Sequence, residues 1–191
     1  MSPLLVHEWT GEPFKFYFDA SISESMRGTA ELVLAEIEEL SEVIEDQIGY
    51  SILESAGWIP GSERGFDFSD NNITRCEGWR HAERPSETRT EAGTIVATVH
   101  PADLPYAAAR SHCAVILWGQ GIFKTNYDAA VHEVFHLFGF VHSPLVSGQS
   151  QAPPGEGVQM SRTLSGGWPA PLGGVTYEDI DALRCIFPAP D

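Results

Sequence analysis

Three histidines and a glycine within eleven residues constrain the fold more than any other feature of this sequence. His132 and His136 are four residues apart, Gly139 follows three residues later, and His142 lies three residues after that. Residues 129–138 contain neither glycine nor proline, so the sequence predicts a helix there. On a helix, the first two histidines point within about 40° of each other, one turn apart. Both imidazoles can therefore reach the same ion.

The third histidine indicates where this helix must end. If the helix continued, His142 would lie about 15 Å along the axis from His132 and on another side. Gly139 can turn the chain, because glycine adopts the left-handed conformation at little steric cost. We therefore expect His142 to fold back towards the other two histidines. Three neutral imidazoles leave the fourth tetrahedral position to water, which is the arrangement of a catalytic rather than a structural zinc site.

Glu133 adds a candidate base to the three ligands. It is about 100° around the helix from His132, beside the ion, where its carboxylate can take a proton from a water on the metal. A glutamate has no part in zinc ligation by the three histidines, so its presence favours catalysis. Any one of these histidines alone would be interpreted as an ordinary core or surface residue, and the joint spacing carries the prediction.

The motif His-Glu-x-x-His-x-x-Gly-x-x-His resembles the zinc signature of the metzincin metallopeptidases, and Ser143 after it is similar to the matrixin branch. Residues 175–187 also resemble the final helix of that branch. The resemblance implies an α+β metzincin-like zincin, with a mixed twisted sheet, a long helix, an active-site helix and a smaller, loop-rich C-terminal subdomain ending in a helix. It further implies a methionine in a tight turn beneath the zinc, for which Met160 is the candidate.

The same resemblance implies a zinc-dependent endopeptidase that hydrolyses peptide bonds of extended protein or peptide substrates. It assigns zinc binding to His132, His136 and His142. It assigns general base catalysis to Glu133 and supporting roles to Met160 and Gly139. The substrate would pair with an edge strand, for which 94–100 or 113–118 is predicted. Export to the extracellular space is expected as well. Two alternatives stay open, namely a non-catalytic zinc-containing peptide-binding module and a zinc hydrolase acting on a non-peptide amide.

Size and charge narrow the domain organisation and the partners. A chain of 191 residues fits one catalytic domain, with an N-terminal subdomain at about 1–142 and a C-terminal subdomain at about 143–191. The net charge of −16 repels phosphate backbones, so a nucleic-acid partner is not expected. No apolar run is long enough for a membrane span, and the apolar run near the start is too short for a signal peptide, so either none exists or it has been cut away. We expect a monomer.

Periodicity predicts the remaining elements. Strands are expected at 14–19, 50–53, 94–100 and 113–118, because these segments are rich in apolar and β-branched residues. Apolar residues three or four apart predict a helix at 28–46 with glutamates on its outer face. Thr176 and Asp179 form a capping box for the last helix. Residues 143–175 are predicted as a long loop because Pro, Gly, Ser and Gln crowd together there.

The cysteines and a cluster of oxygen donors each allow two interpretations. Three cysteines, Cys76, Cys113 and Cys185, allow one disulfide with a thiol left over, or three reduced thiols. A cluster of hard oxygen donors suits a Ca²⁺ site, although the same residues also favour an ordinary turn: Asp67, Asp70, Asn71 and Asn72.

Overall fold

The computed structural model describes residues 9–20, 22–59, 94–100, 107–110, 115–119, 129–143, 158–166 and 171–191. These residues form seven strands, four α-helices and one short 3₁₀ turn, so the fold is mixed α+β. The strands are β1 Phe14–Asp19, β2 Leu53–Ile59, β3 Thr94–His100, β4 Ala107–Arg110, β5 Val115–Gly119, β6 Phe140–Val141 and β7 Val158–Gln159. The helices are α1 Glu24–Ile48, α2 Ala129–Leu137, α3 Arg162–Gly166 and α4 Tyr177–Ile186, and the 3₁₀ turn is Pro171–Gly174.

The larger sheet has five strands in the order β2-β1-β3-β5-β4. Neighbouring strands run parallel except for the last pair, in which β4 is antiparallel to β5. The prediction that 94–100 or 113–118 forms an edge is wrong, because β3 lies between β1 and β5, and β5 lies between β3 and β4. In the described part of the chain, the outermost strand on that side is β4, whose short Ala-rich sequence has little of the β-branched character that indicates a strand.

Helix α1 connects β1 to the parallel strand β2, as the strand-helix-strand pattern predicts. Its buried residues recur every three or four positions: Met26, Ala30, Val33, Ile37, Leu40 and Ile44. The five predicted outer glutamates are exposed: Glu31, Glu38, Glu39, Glu42 and Glu45. The helix is longer than the predicted 28–46. It ends at Gly49, whose φ of 88° is left-handed. Strand β2 begins at Leu53, so the prediction of a strand at 50–53 was placed too early.

The predicted long loop at 143–175 is wrong for its described part. It contains β7, α3 and the 3₁₀ turn Pro171–Gly174, with β7 paired in parallel with β6. Two-residue strands and a five-residue helix are too short to give a periodic signal in sequence. Strand β7 depends on its pairing with β6, and the residue before α3 is bound through its amide by Asp179, so neither contact is visible in the local sequence.

Three phenylalanines hold the sheet, the end of α2 and the end of α4 together. The ring centroids of Phe14, Phe138 and Phe187 lie 5.3–5.5 Å from one another, and all three side chains are buried. Such ring pairs add to the area that each side chain buries. Trp9 covers this cluster and donates a hydrogen bond from its indole Nε1 to the carbonyl of Pro188 at 2.9 Å. The C-terminal end of α2 is therefore fixed against the core.

Several predictions concern residues outside the described ranges. The candidate calcium ligands at 67–72 are among these, as are Cys76 and Cys113. Cys185 is described and is an exposed free thiol. Across the described segments, no helix combines the length and the apolar character that a membrane span requires.

Candidate metal centre

The two histidines on α2 lie on one side of a largely buried helix. His132 and Glu133 are each only 7% exposed, whereas His136 is half-buried. The helix packs against α1 and against strands β4 and β5 of the sheet. Buried apolar residues lie on nearly all sides of the helix, and they include Ala130, Val131, Val134 and Phe135. A polar side chain in such a helix needs a specific partner, because an unpaired buried polar group is costly.

Gly139 ends α2 and turns the chain, as predicted. Its φ is 96°, a conformation that glycine adopts without the Cβ clash of other residues. The amide of Gly139 donates to the carbonyl of His136 at 3.0 Å, which closes the last turn. The two residues that follow form β6, and His142 comes directly after that strand. The chain therefore reverses within six residues of His136.

The three imidazoles converge on one point. Nε2 of His132 lies 3.1 Å from Nε2 of His136 and 3.1 Å from Nε2 of His142, and the third separation is 3.0 Å. Among the described residues, these three form the group of histidines, cysteines and acids close enough to hold a metal ion. His136 and His142 are partly accessible to solvent, so the group has an open side.

The other ring nitrogen of two histidines is held by a backbone carbonyl. Nδ1 of His132 lies 2.7 Å from the Leu164 oxygen, and Nδ1 of His136 lies 2.9 Å from the Phe140 oxygen. A carbonyl oxygen only accepts, so each ring carries its proton on Nδ1 and turns a bare Nε2 lone pair towards the shared point. Such partners fix the tautomer and the orientation of metal-binding histidines.

Burial keeps these two rings neutral. Desolvation lowers the pKa of His132 to about 4, against the opposing effect of its hydrogen bond to Leu164. Desolvation and the nearby His132 lower the pKa of His136 to about 3. Both imidazoles are therefore uncharged at neutral pH, which is the form that binds metal ions.

The donor set fits a divalent metal ion. Two Nε2 lone pairs facing each other at 3.1 Å cannot share a hydrogen bond when both protons are on Nδ1, and a cation between them relieves the repulsion. Tetrahedral zinc, with nitrogen ligands at about 2.0–2.1 Å, separates those nitrogens by roughly 3.3 Å. The separations of 3.0–3.1 Å are within a few tenths of an ångström of that value.

Met160 lies beside the strand that leads to the third histidine. Its side chain is 2% exposed, and its amide donates to the carbonyl of Val141 at 2.9 Å. Parallel pairing of β6 with β7 brings this about, since Val141 is in register with Gln159. The chain thus returns to the residues next to His142 after the segment that separates them in sequence.

Helix α3 contributes two contacts that the sequence did not predict. The carbonyl of Leu164 accepts from His132, and the hydroxyl of Ser165 accepts from the amide of Ser143 at 2.7 Å. Leu164 acts through its backbone, so its side-chain identity carries no signal of this role. Ser165 lies in a segment whose composition predicts a loop. Only the three-dimensional arrangement reveals either contact.

Asp179 connects the start of α4 to the segment after Met160. Its carboxylate is buried and accepts from the amide and the hydroxyl of Thr176, both at 2.8 Å, and from the amide of Ser161 at 2.6 Å. The predicted capping box at Thr176 is present. The same carboxylate therefore caps α4 and holds the residue that precedes α3.

Comparisons with known proteins leave the family open. No protein-family model and no curated protein matches the chain. One similar solved structure is described as a chaperone–substrate complex, with 15% sequence identity and a TM-score of 0.46. The match covers 90% of this chain and 32% of the other, so this chain spans about a third of that protein's length. A likeness of this size establishes neither a shared fold nor a shared function.

Proposed function

We propose that this chain is a zinc-dependent endopeptidase of the metzincin type. The observation that carries the proposal is the convergence of three Nε2 atoms at 3.0–3.1 Å, with Glu133 next to His132 on the same helix. Imidazole ligands suit zinc, and three of them leave a position for a reactant. The resemblance of the motif to the metzincin signature supports the same activity.

The chemistry divides between the metal and Glu133. His132, His136 and His142 would hold the zinc ion, which would supply a Lewis acid that lowers the pKa of water and polarises a carbonyl group. The Glu133 carboxylate accepts a proton from the water that attacks the peptide carbonyl carbon. It then delivers that proton to the nitrogen of the leaving amine as the C–N bond breaks. Each turnover consumes one water and leaves Glu133 as it began.

The sheet offers a place for an extended substrate beside this helix. Strand β4 is outermost among the described strands of the sheet and packs against α2, which carries His132 and Glu133. We assign substrate pairing to β4, in place of the two strands that the sequence predicted. An extended peptide that adds to such an edge gains backbone hydrogen bonds whatever its side chains are. This arrangement supports unfolded proteins and peptides as the substrates.

Incubation of the zinc-loaded chain with a random peptide library, read by mass spectrometry, tests the proposal. We expect new peptide termini that disappear with a chelator and return when zinc is added back. The variant Glu133→Ala should retain zinc and lose at least about 10²-fold in turnover, because it lacks the general base. Glu31→Ala, which removes an exposed acid on α1, is the matched control and should cleave normally.

Two outcomes would count against this function. Unchanged hydrolysis by Glu133→Ala would exclude the role of that carboxylate. A zinc-loaded chain that retains peptides on a column without cleaving them would instead identify a non-catalytic peptide-binding module, which is the alternative that the sequence leaves open.

A further inference from the structure

Ser165 is a fully buried serine in helix α3, which comes well after helix α2 in the sequence. Its side chain has no exposed surface, and its hydroxyl accepts a hydrogen bond from the amide of Ser143 at 2.7 Å. Twenty-two residues separate the two serines in sequence. A buried hydroxyl with a short bond to a distant backbone amide fixes the position of that amide.

The amide that Ser165 holds belongs to the residue directly after His142. On the other side of His142, the carbonyl of Val141 accepts from the amide of Met160 at 2.9 Å. His142 is thus held from both flanks by residues of the segment 158–166. This matters because His142 lies beyond the end of α2, where no helix sets its position.

The residue before Ser165 holds the first histidine. The carbonyl of Leu164 accepts from Nδ1 of His132 at 2.7 Å. Helix α3 therefore contacts one histidine through a backbone oxygen and the segment of another through a side chain. Ser161 caps this helix, since its hydroxyl accepts from the amide of Leu164 at 3.2 Å and its amide is bound by Asp179. The contacts to His132 and to Ser143 thus both come from helix α3, whose start is held by hydrogen bonds to Ser161 and Asp179.

We propose that Ser165 is a positioning residue of the metal centre, which sets the distance of His142 from the other two histidines through the amide of Ser143. The inference rests on the proposed metal-dependent function. Metal sites tolerate displacements of only about 0.5 Å before ligation weakens. Loss of an outer partner of a ligand typically lowers metal affinity by about 10- to 100-fold. Ser165→Ala leaves His132, its carbonyl partner and Glu133 unchanged in sequence.

Zinc affinity, measured by competition with a chromophoric chelator, tests this role without any peptide. We expect Ser165→Ala to bind zinc about 10- to 100-fold more weakly than the unmodified chain. The absorption bands of the cobalt-substituted variant should also shift, because they report the geometry of the ligands. Thr163→Ala is the matched control: it removes another hydroxyl of α3, one that donates to the carbonyl of Gly174. It should bind zinc within twofold of the unmodified chain.

A second variant keeps the test decisive if Ser165→Ala does not fold. Ser165→Cys retains nearly the same volume but offers a thiol, which is a weak acceptor for the Ser143 amide. It should lose zinc affinity in the same direction and shift the cobalt bands. Circular dichroism of each metal-free variant confirms that the protein compared is folded.

The effect of Ser165→Ala in variants that lack one histidine distinguishes a positioning role of Ser165 from a general loss of stability. In a His142→Ala background, adding Ser165→Ala should change zinc affinity less than twofold, since the ligand it positions is gone. In a His136→Ala background, the full loss should persist. Equal zinc affinity and unchanged cobalt bands in folded Ser165→Ala would overturn the inference and leave the proposed function intact. A chain that binds no zinc at all would overturn both.

Discussion

Nδ1 of His132 lies 2.7 Å from the carbonyl oxygen of Leu164, thirty-two residues later in the chain. The last carbonyls of a helix lack partners within the helix, and Leu164 lies in the last turn of the short helix α3. The imidazole therefore satisfies an oxygen that the helix leaves open, and the oxygen fixes which nitrogen of the ring carries the proton. Nε2 is left to face the other two histidines.

Removal of any one histidine of the triad should abolish tight metal binding. His132→Ala, His136→Ala and His142→Ala should each weaken zinc binding by more than about 100-fold, since loss of an outer partner alone costs about 10- to 100-fold. Isothermal titration of the metal-free proteins measures this. His81→Ala removes a histidine outside the motif and should bind zinc normally. Tight binding retained by all three triad variants would mean that the ion lies elsewhere.

Acid should destabilise the metal-free protein through the two buried histidines. Their pKa values in the folded state, about 4 for His132 and about 3 for His136, lie below the ordinary value of 6.5. The unfolded chain therefore takes up protons first as the pH falls. The stability that these neutral rings contribute is fully present above pH 6.5 and is lost towards the folded pKa values. The slope is about 1.4 kcal/mol per pH unit for each histidine.

Urea unfolding of the metal-free protein between pH 7.5 and pH 5 measures this slope. The double variant His132→Ala/His136→Ala provides the reference, because acidic residues elsewhere titrate equally in both proteins. The reference should lose less stability over the same range. Parallel curves for the two proteins would show that these rings do not govern the acid response.

Gly139→Ala should weaken both the fold and the metal centre. At a φ of 96°, a Cβ atom costs about 1–2 kcal/mol, and relief of that strain moves the chain that leads to His142. Thermal unfolding and zinc titration should therefore both report a loss. Gly28→Ala is the control, because Gly28 lies inside α1 with no atom near its Cβ position. That substitution should be neutral or stabilise by up to about 1 kcal/mol.

Asp179→Ala should cost stability out of proportion to the size of its side chain. The buried carboxylate accepts three hydrogen bonds, and its loss leaves the amides of Thr176 and Ser161 without that acceptor. We expect a decrease of about 3 kcal/mol in the free energy of unfolding. Asp181→Ala removes an exposed ion pair with Arg184 and should change it by less than about 0.5 kcal/mol. Similar urea midpoints for the two variants would contradict this account.

The local elements could be predicted where one segment carries enough information. Helix α1 has six buried residues spaced three or four apart, and its five predicted outer glutamates are exposed. The turn at Gly139 and the capping box at Thr176 followed from single residue types whose conformational preferences are strong. The convergence of the three histidines likewise followed from spacing and one turn.

The predictions that were wrong concern elements that depend on contacts between distant segments of the chain. Strand β4 takes the edge of the sheet although its four residues carry little strand signal, and it makes β5 an interior strand. Helix α3 is held by Asp179, which accepts from the amide of Ser161, and by His132, whose Nδ1 donates to the carbonyl of Leu164. Leu164 was beyond prediction, since its contribution is a backbone oxygen. Side-chain patterns report burial well and report backbone partners poorly.

A crystal structure grown with zinc and measured at the zinc absorption edge tests the central claim most directly. The account predicts one strong anomalous peak about 2.0–2.2 Å from Nε2 of His132, His136 and His142, with the remaining position open to solvent. An ion bound by other residues, or a fourth side chain closing the coordination, would contradict it.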